Sequence, residues 1–392
     1  MGKASAIFGG GSVPIGAIVQ GQFANDASYL PLDGNDYVSA TYPSLDKTKM
    51  LTFGSNVFTS RTLPTSATWV GVRYGNGVFV AVSSTTAAAT SSDGITWTAR
   101  TTPSSGYVGL EFVNGYFIAF GSVGVLATST DGITWTARTT SSVVTITSVA
   151  YGNGIYAFAT DTETATASVY TSTDLATWTA RSIAGGTTVA SYNISFAFGK
   201  FYVAPYSFSG AAVTTFITQS TDGITWQQLT NYSGSVSASN ALYSFGANYV
   251  NAVQKFRNKL ILPNTGANTY FSDNEGFLWN YYYLANSWSP STLNCMDSFG
   301  VAIMSTGGSS TLANISFDLK RWYVFTMPSS ANWANTRWRS AFGNNTLVVL
   351  PATASSTLCA TLAADTSKFR MPLYQASYMD VGDADRYYMK VA

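Results

Sequence analysis

The 392-residue sequence contains no histidine. Without imidazole there is no Ser-His or Cys-His nucleophile pair, no histidine general base and no metal site built on histidine ligands. Cysteine is nearly as scarce. Cys295 and Cys359 are the only two, stand far apart and lack C-x-x-C spacing. A disulfide framework is therefore excluded by number, and both read as small apolar core residues. Charge is sparse as well. Lys and Arg number 20 against 19 Asp and Glu, only 10% of the chain, with a net charge of +1; an average soluble domain carries roughly 25%. This balance excludes the basic footprint of a nucleic-acid or anionic-membrane binder. At 46% hydrophobic residues the chain is no disordered polymer either. The longest mostly apolar stretch, Gly115–Ala127, is too short and too broken by Gly and Ser to span a bilayer. The first residues hold a single Lys and no sustained apolar core, so no signal peptide is expected.

Aromatic residues, by contrast, make up 15% of the chain, and many recur in register. Ser91-Ser92-Asp93-Gly94-Ile95-Thr96-Trp97 reappears as Ser129-Thr130-Asp131-Gly132-Ile133-Thr134-Trp135 and as Ser220-Thr221-Asp222-Gly223-Ile224-Thr225-Trp226. Ser172 to Trp178 is a further copy centred on Asp174. Degenerate copies carry Glu275 with Trp279, Asp318 with Trp322, and Asp365 with Phe369. The aromatic falls at 97, 135, 178, 226, 279, 322 and 369. These steps lie near the roughly 40–50 residues of one four-stranded propeller blade. Ahead of the boxes stand hairpin signals such as Gly75-Asn76-Gly77 and Gly152-Asn153-Gly154, flanked by β-rich runs. Each unit therefore reads strand, Asn-Gly turn, strand, third strand, acidic turn, and a fourth strand starting at Trp. The expected fold is all-β, a seven-bladed β-propeller with a small N-terminal β-rich module.

The chemistry of the box is structural. An Asp in a tight turn accepts the backbone N–H groups that follow it, Gly tolerates positive φ, and Trp packs as an apolar wedge. The pattern resembles the Asp-box of sialidase-like β-propellers, with one residue fewer between Asp and Trp. Phe58-Thr59-Ser60-Arg61-Thr62-Leu63-Pro64 is similar to the fourth strand beginning at Trp97, yet no box precedes it. It is expected to close the ring by joining the blade nearest the C-terminus. Phe369–Tyr374 competes for the same place.

Residues 11–45 have another texture, richer in Pro and Asp turns. Val13-Pro14-Ile15-Gly16, then Tyr29-Leu30-Pro31-Leu32-Asp33-Gly34-Asn35-Asp36-Tyr37, then Tyr42-Pro43-Ser44-Leu45 resemble the phage tail-collar domain. Tyr29 stands where that family usually has Trp, and Leu32 where it has Cys. The resemblance implies an attachment module of a virion tail or fibre. The expected organisation is thus a collar-like module at 1–49, the propeller at 50–374 and a tail at 375–392.

Catalytic candidates are few. Outside the boxes, the N-terminal module and the tail, the acids are Glu111, Asp161, Glu163, Asp273 and Asp297. A glycosidase needs two carboxyl groups roughly 5–10 Å apart. Asp161 and Glu163 are the one close pair, in a polar connection that reads as solvated. Sialidases place three arginines on the substrate carboxylate, but Arg61, Arg100, Arg138 and Arg181 occupy equivalent outer-strand places in different blades and cannot converge. Phe369-Arg370-Met371-Pro372, similar to the sialidase F-R-I-P motif, lies in the weakest repeat. Gly9-Gly10-Gly11 lacks the context of a phosphate loop. No spacing matches a calcium loop, and neither a metal nor a cofactor is expected.

Aromatic residues in segments that break the repeat remain as receptor-binding candidates: Tyr206, Phe208, Tyr232, Tyr281, Tyr282, Trp288 and Trp333. Exposed Tyr and Trp stack on sugar rings with little need of charge. The expected protein is non-enzymatic: a virion tail or fibre component, made in the host cytoplasm. It would act as a homo-oligomer beside other tail proteins and recognise a host-surface glycan or receptor. An architectural adaptor and a glycan-depolymerising hydrolase are the alternatives.

Overall fold

The computed structural model describes residues 18–21, 29–31, 36–44, 52–140, 145–161, 169–183, 189–208, 217–229, 253–256, 259–263, 268–272, 280–283, 293–296, 301–305, 311–316, 322–328, 333, 339–370 and 386–390. Seven four-stranded antiparallel sheets stand among them. Blade 1 shows how the sequence builds one. Trp69–Gly75 is its inner strand, Val78–Ser83 the second, Ala87–Ser91 the third and Thr98–Thr101 the outer. Asn76 and Gly77 form the first hairpin with φ of 48° and 80°, the two positive values that a type I′ turn demands and Asn-Gly supplies. Blades 2 to 6 occupy 107–138, 146–181, 189–228, 254–283 and 294–326. Outer strands begin one residue later than expected, at Thr98, Thr136 and Thr179. The preceding Trp turns its ring into the protein instead of joining the ladder.

Blade 7 takes three strands from the C-terminal part, Ser340–Gly343, Thr346–Val349 and Ser356–Ala363. Its outer strand is Thr59–Ala67, which pairs antiparallel with Ser356–Ala363 through Arg61 opposite Cys359 and Ser60 opposite Ala360. The competing segment goes elsewhere. Lys368–Arg370 pairs with Asp36–Val38 in a separate two-stranded sheet. The seventh copy, at Asp365, therefore makes a turn but leads to no outer strand, because that place is filled by residues from the other end of the chain.

Among the described C-terminal residues, 386–390 form a strand. Arg386–Lys390 is the central strand between Ile18–Gly21 and Tyr29–Pro31. Strands from the N-terminal and C-terminal segments, separate in the sequence reading, thus pair in one three-stranded sheet.

The core lies between blades rather than within them. Among the described residues an apolar cluster fills each boundary. Leu63, Trp69, Phe79, Val348 and Cys359 join blades 7 and 1; Val80, Val82, Tyr107 and Phe117 join blades 1 and 2. Ile118, Phe158 and Trp178 join blades 2 and 3. The series continues around the ring to Ile303, Ile315, Phe342 and Leu347 between blades 6 and 7. Cys359 is fully buried, and desolvation pushes its thiol up to about 12. Cys295 is only partly buried.

Leu63 on the ring-closing strand is 1% exposed. Leu63→Ala is expected to destabilise the protein by about 2–5 kcal/mol. A chemical-denaturation midpoint equal to that of the parent would show that this strand does not hold the ring.

Candidate functional site

Two places could carry function, the central channel and the outer rim. The channel is a cavity of about 410 Å³ lined by residues of all seven inner strands. Its polar groups bridge neighbouring blades. Arg73 of blade 1 donates from Nε to Glu111 Oε2 of blade 2 at 2.9 Å, with the side chains 13% and 11% exposed. Ser148 Oγ of blade 3 accepts the Ile194 N–H of blade 4 at 2.7 Å. Gln254 of blade 5 donates to Leu293 O and accepts from the Cys295 N–H of blade 6. Asn294 of blade 6 donates to Ser340 O and Oγ of blade 7. Among the described channel residues Glu111 is the one carboxylate, and it faces a guanidinium.

The first hairpin of a blade meets the next blade in the same way. A Cβ on Gly75 would fall 2.4 Å from the Phe112 ring, one on Gly152 2.1 Å from Phe196, and one on Gly343 2.0 Å from Tyr74. Each glycine is a notch that seats the aromatic ring of the following blade. Alongside, Asn76 Nδ2 donates to Gly115 O and Thr130 O, both at 2.9 Å. Asn153 repeats this with Gly199 O and Thr221 O. Asn344 of blade 7 donates to Ser92 O of blade 1 across the closure. Thr130, Thr221 and Ser92 each precede the Asp of an acidic turn. The two sequence signals, Asn-Gly and the acidic box, are thus the two sides of one interblade contact.

The box itself is the same in four blades. Ser91 Oγ donates to Asp93 Oδ1 and accepts the Gly94 N–H, while Asp93 Oδ1 accepts the N–H groups of Ile95 and Thr96 at 2.7 and 2.8 Å. Asp131, Asp174 and Asp222 do likewise. These donors stabilise the ionised form. Backbone N–H groups hold the Asp174 and Asp222 carboxyls at about 2, and Asp131 is lowered by the same contacts. For Asp93, burial raises and the N–H groups lower, with a net lowering. Trp97 and Trp135 donate from Nε1 to the carbonyls of Gly94 and Gly132. Their rings, with those of Trp178, Trp226 and Trp322, enter the boundary with the preceding blade. In blade 3 the glycine is replaced by Leu175, which keeps φ at 61° and buries its side chain in that boundary.

The receptor candidates divide. Trp333 is 1% exposed in the cluster between blades 6 and 7, and its Nε1 donates to Pro328 O. It is a core residue and no receptor contact: its indole packs with Phe58, Phe325 and Phe342, and the Pro328 carbonyl satisfies its one buried donor. Tyr206 and Phe208 belong to the second strand of blade 4, Lys200–Phe208. Tyr281 and Tyr282 belong to the outer strand of blade 5, Asn280–Tyr283. All four are therefore strand residues rather than loop residues, with Tyr206 at a register shift of its ladder. Tyr232 and Trp288 lie outside the described residues, as do Glu275, Trp279, Asp318 and Glu163. Asp161 Oδ1 accepts the Thr145 N–H. The Asn latches had a signal in the sequence, the Asn-Gly hairpins, but not a partner. No group of three potential metal ligands occurs among the described residues.

No protein-family model matches this chain, and no curated protein matches it. Solved structures do. YCF48 bound to a D1 peptide superposes with a TM-score of 0.55 at 16% identity, over 81% of this chain and 98% of that one. YCF48 from Cyanidioschyzon merolae does so with a TM-score of 0.51 at 16% identity, over 78% and 98%. Such likeness establishes the fold, a β-propeller.

Asn76 sits at positive φ with two bonds to the next blade. Asn76→Ala is expected to lose about 1–3 kcal/mol, and Asn76→Gly less, because glycine keeps the backbone conformation. Equal losses in urea melts would show that the backbone conformation contributes nothing. The acidic turns set an acid limit. Their carboxyls lie lower in the folded chain than the ~3.9 of an unfolded Asp. Their stabilisation is thus complete above about pH 4 and fades as pH falls toward about 2. In thermal melts across that window Asp174→Asn/Asp222→Asn should show a smaller fall than the parent; parallel curves would contradict the assignment.

Proposed function

We propose that this chain is a structural component of a bacteriophage tail or fibre, attached through its N-terminal module and recognising the host surface with its propeller. The observation that carries the reading is the collar-like run from Val13 to Leu45 standing directly before a repeated, low-charge ring. The pairing of Ile18–Gly21 and Tyr29–Pro31 with Arg386–Lys390 supports it. That pairing ties both ends of the chain into one small sheet, a form suited to a mount. The action is non-covalent recognition. The sole described channel carboxylate is locked to Arg73, whereas glycoside hydrolysis uses two carboxyl groups. Copies of the chain in a virion would multiply weak contacts through effective concentration. A protein segment is the alternative ligand to a glycan, since a propeller of this fold has been solved with a bound peptide.

Two measurements test the reading. Gold-labelled antibody against the chain should mark the tails of the particles that carry it, and labelling of heads would overturn the tail assignment. Purified full-length chain should compete with those particles for adsorption to host cells. Labelled tails without competition would favour an architectural adaptor. Release of reducing ends from host polysaccharide would favour the hydrolase.

A further inference from the structure

The outer-strand arginines are one structural element repeated in four consecutive blades. Arg61 lies in the outer strand of blade 7, and Arg100, Arg138 and Arg181 in those of blades 1, 2 and 3. Each donates from Nε to a threonine Oγ1 of the neighbouring third strand. The partners are Thr361 at 3.1 Å, Thr90 at 3.0 Å, and Thr128 and Thr171 both at 2.9 Å. Their cross-strand partners Cys359, Ala88, Leu126 and Val169 belong to four successive interblade clusters. Each arginine therefore stands at the outer end of a different blade boundary. The acidic turn of the following blade adjoins it. A Cβ at Gly132 would lie 3.0 Å from Thr90 Cγ2, and one at Gly223 3.1 Å from Thr171 Cγ2.

The threonine latch uses one of the five guanidinium N–H donors. Among the described residues no hydrogen bond or ion pair takes the four on the Nη nitrogens of any of these arginines. The nearby Asp93, Asp131, Asp174 and Asp222 spend Oδ1 on their own turns and form no ion pair with these arginines. All four arginines are partly buried, and in blades 1, 2 and 3 the other residues of the strands that carry them are exposed. The result is a row of held, planar forks with open donors, one per blade. A fork of that kind matches a carboxylate, sulfate or phosphate group. A single exposed pair contributes little, but four in fixed register act together. The chain's near-zero net charge does not oppose this, because charges beyond about 10 Å are screened and local arrangement decides.

We propose that the outer rim of blades 7, 1, 2 and 3 binds a repeating polyanion, a polysaccharide that carries carboxylate, sulfate or phosphate groups along its length. The proposal deepens the host-recognition reading and rests on it for the biological source of the polymer.

Dextran sulfate serves as the probe and uncharged dextran as the control, with binding to the full-length chain measured by calorimetry. Arg100→Gln, Arg138→Gln and Arg181→Gln should each weaken binding about threefold and the triple variant roughly thirtyfold, with affinity falling as salt rises. Lys255→Gln, in the channel lining, removes equal charge and should leave binding unchanged. Full affinity in the triple variant, equal binding of dextran, or an equal effect of Lys255→Gln would overturn the proposal. Adsorption competition separates the two readings. If the triple variant loses dextran sulfate yet still competes for host cells, the rim is not the recognition surface. If polymer binding follows the arginines while no form of the chain competes, the rim stands as a polyanion site and host recognition falls.

Discussion

No blade of this protein can bury its apolar residues alone. A four-stranded sheet has two faces, and here each face is covered only by the next sheet in the ring. Among the described residues an apolar cluster lies at each of the seven boundaries. Where the inner hairpins meet, glycine notches at 75, 152 and 343 admit the rings of Phe112, Phe196 and Tyr74. Asparagines at 76, 153 and 344 reach across to carbonyls of the next blade. Because each sheet leans on two neighbours, the first and last must also meet, and residues 59–67 complete the seventh sheet.

This constraint explains the work of the repeated acids. Ring contact requires the turn between third and outer strands to hold one shape, so that its carbonyls sit where the preceding blade's asparagine can reach them. A carboxylate that accepts two backbone N–H groups and a serine hydroxyl holds that shape without a partner from elsewhere. In blades 1 and 2 the same turn also accepts the N–H of the indole that fills the boundary. Four acids are thereby committed to architecture at the rim, while at the channel the one described carboxylate is committed to Arg73. Among the described residues, the outer arginines keep donor capacity that no protein group takes.

The chain ends add a second closure. Residues 18–21 and 29–31 embrace 386–390, and Asp36–Val38 lies along Lys368–Arg370 just beyond blade 7. Strands from both ends therefore share sheets outside the ring as well as within it.

Much of this was legible in the residues. Recurrence of an acidic turn and a tryptophan every 38 to 53 residues determined the class of fold and the blade count, because turn chemistry and aromatic wedges act locally. Asn-Gly dictated the inner hairpins for the same reason: positive φ is a property of two adjacent residues. Tertiary structure alone decided three other things. It buried Trp333, whose surroundings come from two blades. It gave blade 7 its outer strand from residue 59 onward and sent Lys368–Arg370 to the N-terminal module, a competition between segments some 300 residues apart that local pattern does not weigh. It also set Arg100 beside the acidic turn at Asp131 and Arg181 beside that at Asp222, since neighbours across a boundary are chosen by ring closure and not by order along the chain.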